Sequence, residues 1–590
     1  MYSFNRLHRF CIIFVATAIL ASAPGLFGQS VPAFTQVILF GDSLSDDGNI
    51  GHRIQDQYFF TYPGGSFNYS DSRFTNSADT DPGSALYAGT WHEQLARDFL
   101  GLSAATNSLD GGNDYAFGGA TTEAETREVT VISNPDPFIG GDFTVTIDNL
   151  GRQVNDYLTD QTVDPAALFV VWGGGNDLFN DDSSANVVAT AERVAGLVEQ
   201  LARGGAVSIL VPNVPPLGLV PNYKDDAAKA TALNAASAQY RGELNTQLDA
   251  AVSTLAGENI TITLYRLDVY GLFYKLAANP GENGFVNISD SAQDQSVDPD
   301  QYLFWDDIHP TTAGHYQIAA AAFEVLNGTA LPPAQSLNLS ARLNVGTGDD
   351  VLIGGLIITG SEPKQIIVRG IGPSLAGSGL PVDTILADPT LELYQDGTLL
   401  LSNDNWKESQ QSEIEATGIA PTDDLESAIV ATLAPGSYTV ILQGQNSGTG
   451  IGLVEAYDLE SASQSSLANT STRGLVATGD DILIGGFIVG NGGSDTVVVR
   501  AIGPSLAAAG VVNPLADPTL DLYDVNGVVL RSDDNWRDSQ EPLIQSTGLA
   551  PTNDAESAII RSLTPGSYTA VVRGKDGGTG VALVEVYNLQ

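Results

Sequence analysis

Along the first 330 residues, compact apolar runs alternate with stretches in which apolar residues recur every three to four positions. The runs at 35–40, 167–172, 206–211 and 260–267 are short and rich in aliphatic and aromatic residues. Such runs predict strands buried on both faces. Between them, Ser183 or Ser184 is placed to cap a helix carrying Val187, Val188, Ala191, Val194, Leu197, Val198 and Leu201 that stops at Gly204. A second helical pattern runs through Leu233, Tyr240, Leu244, Leu248 and Val252, and a third covers 318–326. Strands alternating with helices imply a parallel sheet covered on both sides, an α/β domain.

Beyond 328 the period changes. Segments become short and alternating, punctuated by Gly, Pro, Asn and Asp, and they repeat. Trp406 in "SNDNW", Tyr438 in "PGSYT" and Glu455 in "GLVEAYDL" return at one common offset as Trp536, Tyr568 and Glu585. "GDDVLIGG" from Gly348 returns as "GDDILIGG" from Gly479, one residue further apart. This pattern predicts two β-sandwich modules at 337–460 and 467–590, joined by polar linkers at 329–336 and 461–466.

Charge narrows the partners. Lys and Arg number 25 against 70 Asp and Glu, a net charge of −45. Such a surface repels polyanions, so no nucleic-acid partner is expected. Arg6, His8 and Arg9 precede an apolar run at 10–23 that is short for a membrane span, and small residues follow near 28–30. Residues 1–30 therefore read as a signal peptide, and the expected location is extracellular. Cys11, the only cysteine, lies in that segment, which leaves no disulfide or thiol chemistry for the processed chain.

Three separated motifs follow predicted strands or precede a helix: "FGDSLSDDGN" (40–49), "GGGND" (173–177) and "FWDDIHP" (304–310). "NDYAFGGAT" (113–121) lies between the first two. In an open parallel sheet, loops at the carboxyl ends of neighbouring strands converge on one crevice. A serine hydroxyl needs an adjacent base, an acid to hold that base, and donors where an oxyanion will form. After signal removal four histidines remain as bases: His52, His92, His309 and His315. Asp306 stands three residues before His309, near enough for one loop to present both, and Gly41 permits a tight turn ahead of Ser43. Asp306 and His309 are two metal ligands without a third, so neither metal nor other cofactor is expected in the chemistry. The acidic "SNDNW" and "SDDNW" loops are candidates for structural calcium. "GPSLA" at Gly372 and Gly503 lacks the glycine that a nucleophile elbow requires, and neither repeat contains a histidine.

Together, in this order, the motifs resemble those of the GDSL, or SGNH, hydrolases, which draw a Ser, Gly, Asn and His from four sequence blocks. The resemblance covers about 35–328 and leans toward secreted bacterial lipases, phospholipases and hemolysin-like esterases. "PNVPPLGLVP" (212–221), "LDVYGLF" (267–273) and "NPGENGFVNISDS" (279–291) look like secondary signatures of that branch, with Ser291 where many relatives have cysteine. The resemblance implies a three-layer α/β/α, flavodoxin-like domain at 31–328 followed by two all-β sandwich domains similar to pre-peptidase-like modules. It implies Ser43 as nucleophile and His309 as general base oriented by Asp306; Asp307 is the rival acid, at a spacing that departs from the family pattern. It also implies an oxyanion hole built from the N–H of Ser43, the N–H of Gly119, with Gly118 as the alternative, and the side-chain amide of Asn176. The implied activity is hydrolysis of an ester or lipid substrate through an acyl-enzyme. Phospholipid acyl transfer and polysaccharide deacetylation are the alternatives, and an adhesin with an inert hydrolase domain is the non-enzymatic one. The repeats are expected to attach the chain to polysaccharide or a cell surface.

Overall fold

The computed structural model describes residues 33–64, 69–70, 72–76, 87–132, 142–331, 336–460, 465–479, 481–490 and 492–589. The segment 1–30, expected to be a signal peptide, lies outside them. Two compact units divide between Ala330 and Leu331.

In the first unit, β1 (Val37–Gly41), β2 (Leu168–Trp172), β3 (Ser208–Pro212) and β4 (Thr263–Leu267) form a parallel sheet in that spatial order. The Asn113–Phe117 segment (numbers 113–117) runs along the free edge of β1, where Leu39 N–H donates to Asn113 O at 3.0 Å and Tyr115 N–H donates to Leu39 O at 2.9 Å. Side chains alternate across the sheet. Ile38, Phe40, Phe169, Val171, Ile209 and Val211 pack under the helices Ser184–Gly204 and Ala227–Gly257. Val37, Leu39, Leu168, Val170 and Leu210 pack on the other face against Val269–Ala278 and Thr312–Leu326. Burial on both faces is why β1, β2 and β3 read as continuous apolar runs, whereas β4, at the sheet edge, is buried only at Leu267. Ser183 is the N-cap, accepting from Asn186 N–H, and the chain leaves the helix at Gly205 in a left-handed conformation. The three-layer α/β/α architecture is the one expected.

The second unit is all β, in antiparallel pairing, but its division differs from expectation. One eight-stranded sheet runs Thr398–Asn403, Pro389–Gln395, Gly436–Gly444, Leu352–Thr359, Ser466–Val476, Gly580–Asn588, Asp495–Ile502, Ser557–Leu563. The other runs Ser427–Leu433, Lys364–Ile371, Gly450–Asp458, Ser336–Val345, Leu483–Val489, Gly566–Gly574, Pro518–Tyr523, Val529–Asp533. Each sheet takes four strands from each repeat. The repeats join where Leu352–Thr359 pairs with Ser466–Val476 and where Leu483–Val489 pairs with Ser336–Val345. One core holds Leu352, Leu356 and Val440 together with Leu483, Phe487 and Val572. The two sandwich domains separated at 461–466 are thus two halves of one continuous sandwich. The physical reason is edge strands: joining both sheets at the seam covers backbone groups that separate modules would leave unpaired.

Trp406 and Trp536 are buried within their halves. Ser374 and Ser505 are turn residues, each donating its hydroxyl to a buried glutamate, Glu426 or Glu556, at 2.8 Å. In the second acidic loop, the Lys575 ammonium stands 2.6 Å from Asp534 and already supplies the positive charge that calcium was expected to bring. Gln445 occupies the matching place in the first half, donating to Asp404 at 2.6 Å.

Candidate active site

Strand β1 delivers the chain to a turn at Asp42–Asp46 (numbers 42–46), in which the amides of Ser45 and Asp46 both donate to Asp42 O at 3.0 Å. The turn is anchored by a buried side-chain clasp. Gln153 accepts from Gly41 N–H and donates to Gly41 O, both at 2.9 Å. A Cβ on Gly41 would stand 3.1 Å from the carbonyl oxygen of Trp172, a close approach that favours glycine at the strand end. Ser43 Oγ lies 2.8 Å from His309 Nε2, and His309 Nδ1 lies 2.7 Å from Asp306 Oδ2. Asp306 Oδ1 accepts the amides of Ile308 and His309 at 2.7 and 2.6 Å, and Oδ2 also accepts the Tyr69 hydroxyl at 2.8 Å. Burial alone would raise this carboxyl, but the charge of His309, its ring N–H and the two amides outweigh burial and hold it below its ordinary value. Asp306 therefore stays an anion facing the imidazole, while Asp307 is exposed. The other described histidines are engaged elsewhere: His52 with Asp110, His92 with Ser45 O, and His315 with the amide of Trp91.

The two glycines of the second block are distinguished by their amides. Gly118 donates to Asp46 Oδ2 at 2.7 Å, whereas Gly119, at φ +82, has an amide with no acceptor among the described residues. Asn176 is the second residue of the short helix Gly175–Asn180, and its side chain donates one N–H to Ala120 O at 2.9 Å, leaving the second N–H free of that bond. Ser43, Gly119, Asn176 and His309 border one cavity of about 210 Å³. Its walls are mostly apolar, including Leu44, Phe74, Val131, Trp172, Phe179 and Phe273. Buried Asp42 also lines it, its carboxyl raised to about 6 by burial.

Among the aromatic residues between Ser43 and Gly119, Tyr62 and Phe74 line this cavity, and the Phe74 ring lies 4.9 Å from the His309 ring. Tyr69 holds Asp306, Trp91 packs beneath against Trp172, and Phe59 points to solvent. Sequence reasoning missed Gln153, Asp46 and the Tyr69 hydroxyl as supports of the site. Gln153 and Tyr69 act across long sequence separations with no local motif to mark them, and Asp46, though inside the 40–49 motif, reaches Gly118 from 72 residues away.

A family model described as GDSL-like lipase/acylhydrolase matches residues 37–322. Among curated proteins, the thermolabile hemolysin of Vibrio parahaemolyticus is 27% identical over 50% of this chain and 64% of its own length. Esterase EstA of Pseudomonas aeruginosa is 28% identical over 53% of this chain and 50% of its own, and Lipase 1 of Photorhabdus luminescens 24% identical over 52% and 53%. The chain thus matches less than two thirds of each of these relatives. A solved lipolytic protein of the G-D-S-L family from Veillonella parvula aligns with 49% of this chain and 97% of its own at 14% identity and a TM-score of 0.26.

Proposed function

Residues 37–322 form a domain of the GDSL-like lipase/acylhydrolase family, and from that premise we propose that the chain hydrolyses carboxylic esters through an acyl-enzyme on Ser43. The observation that carries the reading is the relay from Ser43 Oγ to His309 Nε2 at 2.8 Å and from His309 Nδ1 to Asp306 at 2.7 Å, set at the mouth of an apolar cavity. His309 takes the serine proton as Oγ attacks the ester carbonyl. Asp306 keeps the ring in the tautomer that leaves Nε2 unprotonated and stabilises the imidazolium that forms. The amides of Ser43 and Gly119 and the second N–H of Asn176 stabilise the oxyanion. The protonated His309 then gives its proton to the departing alcohol, and a water activated by the same imidazole releases the acid. The cavity walls favour an ester with an apolar acyl group over an acetylated sugar.

The basic-then-apolar start at 1–30 supports export. The test is turnover of soluble p-nitrophenyl esters by Ser43→Ala. Activity should fall by several powers of ten while the thermal transition stays in place. Turnover within tenfold of the parent would remove Ser43 from the mechanism.

A further inference from the structure

Beneath the nucleophile turn lies a buried group of side chains that the relay does not use. One nitrogen of His92 and one carboxylate oxygen each from Asp47 and Asp114 lie within 4.8 Å of one another, and all three residues are buried. His92 is fully buried, at 0% exposure, and Asp47 is 6% exposed. The imidazole commits Nε2 to the carbonyl oxygen of Ser45 at 2.8 Å, and Nδ1 has no hydrogen-bonding partner. Asp47 Oδ1 has none either. Asp114 accepts from Asp47 N–H at 3.0 Å and from Ala116 N–H at 2.9 Å, which fixes its carboxylate. A neutral ring that donates its Nε2–H to the Ser45 carbonyl keeps its Nδ1 lone pair free. The guanidinium of nearby Arg73 is bonded to Glu93 through Nε and Nη2 at 2.7 and 2.6 Å.

Two carboxyl groups and an imidazole thus converge in a buried site where His92 Nδ1 and Asp47 Oδ1 have no hydrogen-bonding partner, beside the Arg73 guanidinium. Such a convergence is costly unless a cation fills it. A ring N–H donated to a backbone carbonyl is also the usual support of a metal-bound histidine, because it fixes the tautomer and aims the other nitrogen. We propose that Asp47, His92 and Asp114 bind one divalent transition-metal ion, with zinc or manganese as the class, since calcium prefers oxygen alone. Its place gives it a bracing role. Asp47 belongs to the nucleophile segment, Asp114 to the edge segment leading to Gly118 and Gly119, and His92 to the short helix Trp91–Gln94. One ion would tie these three segments together behind Ser43, while the relay itself stays metal-free. This inference holds whether or not the chain hydrolyses esters.

The test measures metal on the full chain, not activity. After EDTA treatment and dialysis, the protein is titrated with Zn²⁺ and separately with Mn²⁺, with bound metal and Tm recorded. One equivalent should bind and raise Tm by roughly 5 °C at a hundredfold excess over Kd. His92→Ala and Asp47→Asn should each lose that equivalent and its Tm increment. Should these variants fail to fold, X-ray absorption on the zinc-loaded parent decides, and it should show one imidazole with carboxylate oxygens at ~2.0–2.2 Å. An all-oxygen environment overturns the proposal. So does retention of the equivalent by both folded variants, or a parent that binds neither metal stoichiometrically. That last result would leave a carboxyl pair sharing a proton.

Discussion

Asn176 carries two side-chain N–H groups, and the structure commits one of them, to Ala120 O. Asn176 itself lines the cavity beside Ser43. A donor aimed at developing charge matters little to the ground state, so Asn176→Ala should lower kcat by about 10²–10³ with KM nearly unchanged. A raised KM at constant kcat would make Asn176 a substrate-binding residue instead. Residues of this kind are readable in sequence because each lies within a short motif: Ser43 after a strand, Asn176 in "GGGND", Asp306 and His309 in one loop. For the glycine, the family resemblance points to Gly119, and the structure adds that Asp46 accepts the Gly118 amide from 72 residues away. Tyr69 and Gln153 stayed hidden because they act across long sequence separations.

At the level of strands, the apolar runs located the parallel sheet but not its limits. The run at 260–267 begins before β4 does, at Thr263, because Ile260 and Ile262 pack against the core without joining the ladder. Apolar patterning reports burial, and pairing is a separate matter. The two halves of the β unit supply their own contrast. Lys364, at the start of one strand, is buried and paired with Asp458 at 2.6 Å. Its counterpart Asp495 is equally buried, but it faces Asn588 at 2.8 Å and its Oδ1 has no hydrogen bond. Burial raises the Asp495 carboxyl from 3.8 to about 8. A carboxyl raised on folding contributes stability that is full below the unfolded value, near 4, and lost as pH climbs through about 8. Asp495→Asn removes that ionisation. Its Tm should match the parent near pH 4 and exceed it by roughly 2–5 °C at pH 9. A difference that does not change between the two pH values would contradict the assignment.

Across the whole molecule, the repeat was legible in the sequence, but the way its copies join was not. Matching motifs such as Trp406 and Trp536 define the unit, whereas which edges pair is set by contacts that no periodicity encodes. The seams between halves predict an asymmetry among truncations. A chain ending near Gly328, made without residues 1–30, should keep kcat/KM on small soluble esters within a few-fold, because every relay residue precedes Pro310. A chain ending near 460 should expose the edges Leu352–Thr359 and Ser336–Val345 and aggregate. Equal solubility of that longer truncation and the full chain would show that the first half folds alone. The central claim is that Ser43 is the activated nucleophile, and covalent labelling tests it most directly. With a fluorophosphonate probe, peptide mapping should find about one adduct per chain, at Ser43, with esterase activity lost in step with labelling. An adduct at Ser374 or Ser505, or full labelling of Ser43 with ester turnover intact, would contradict the account.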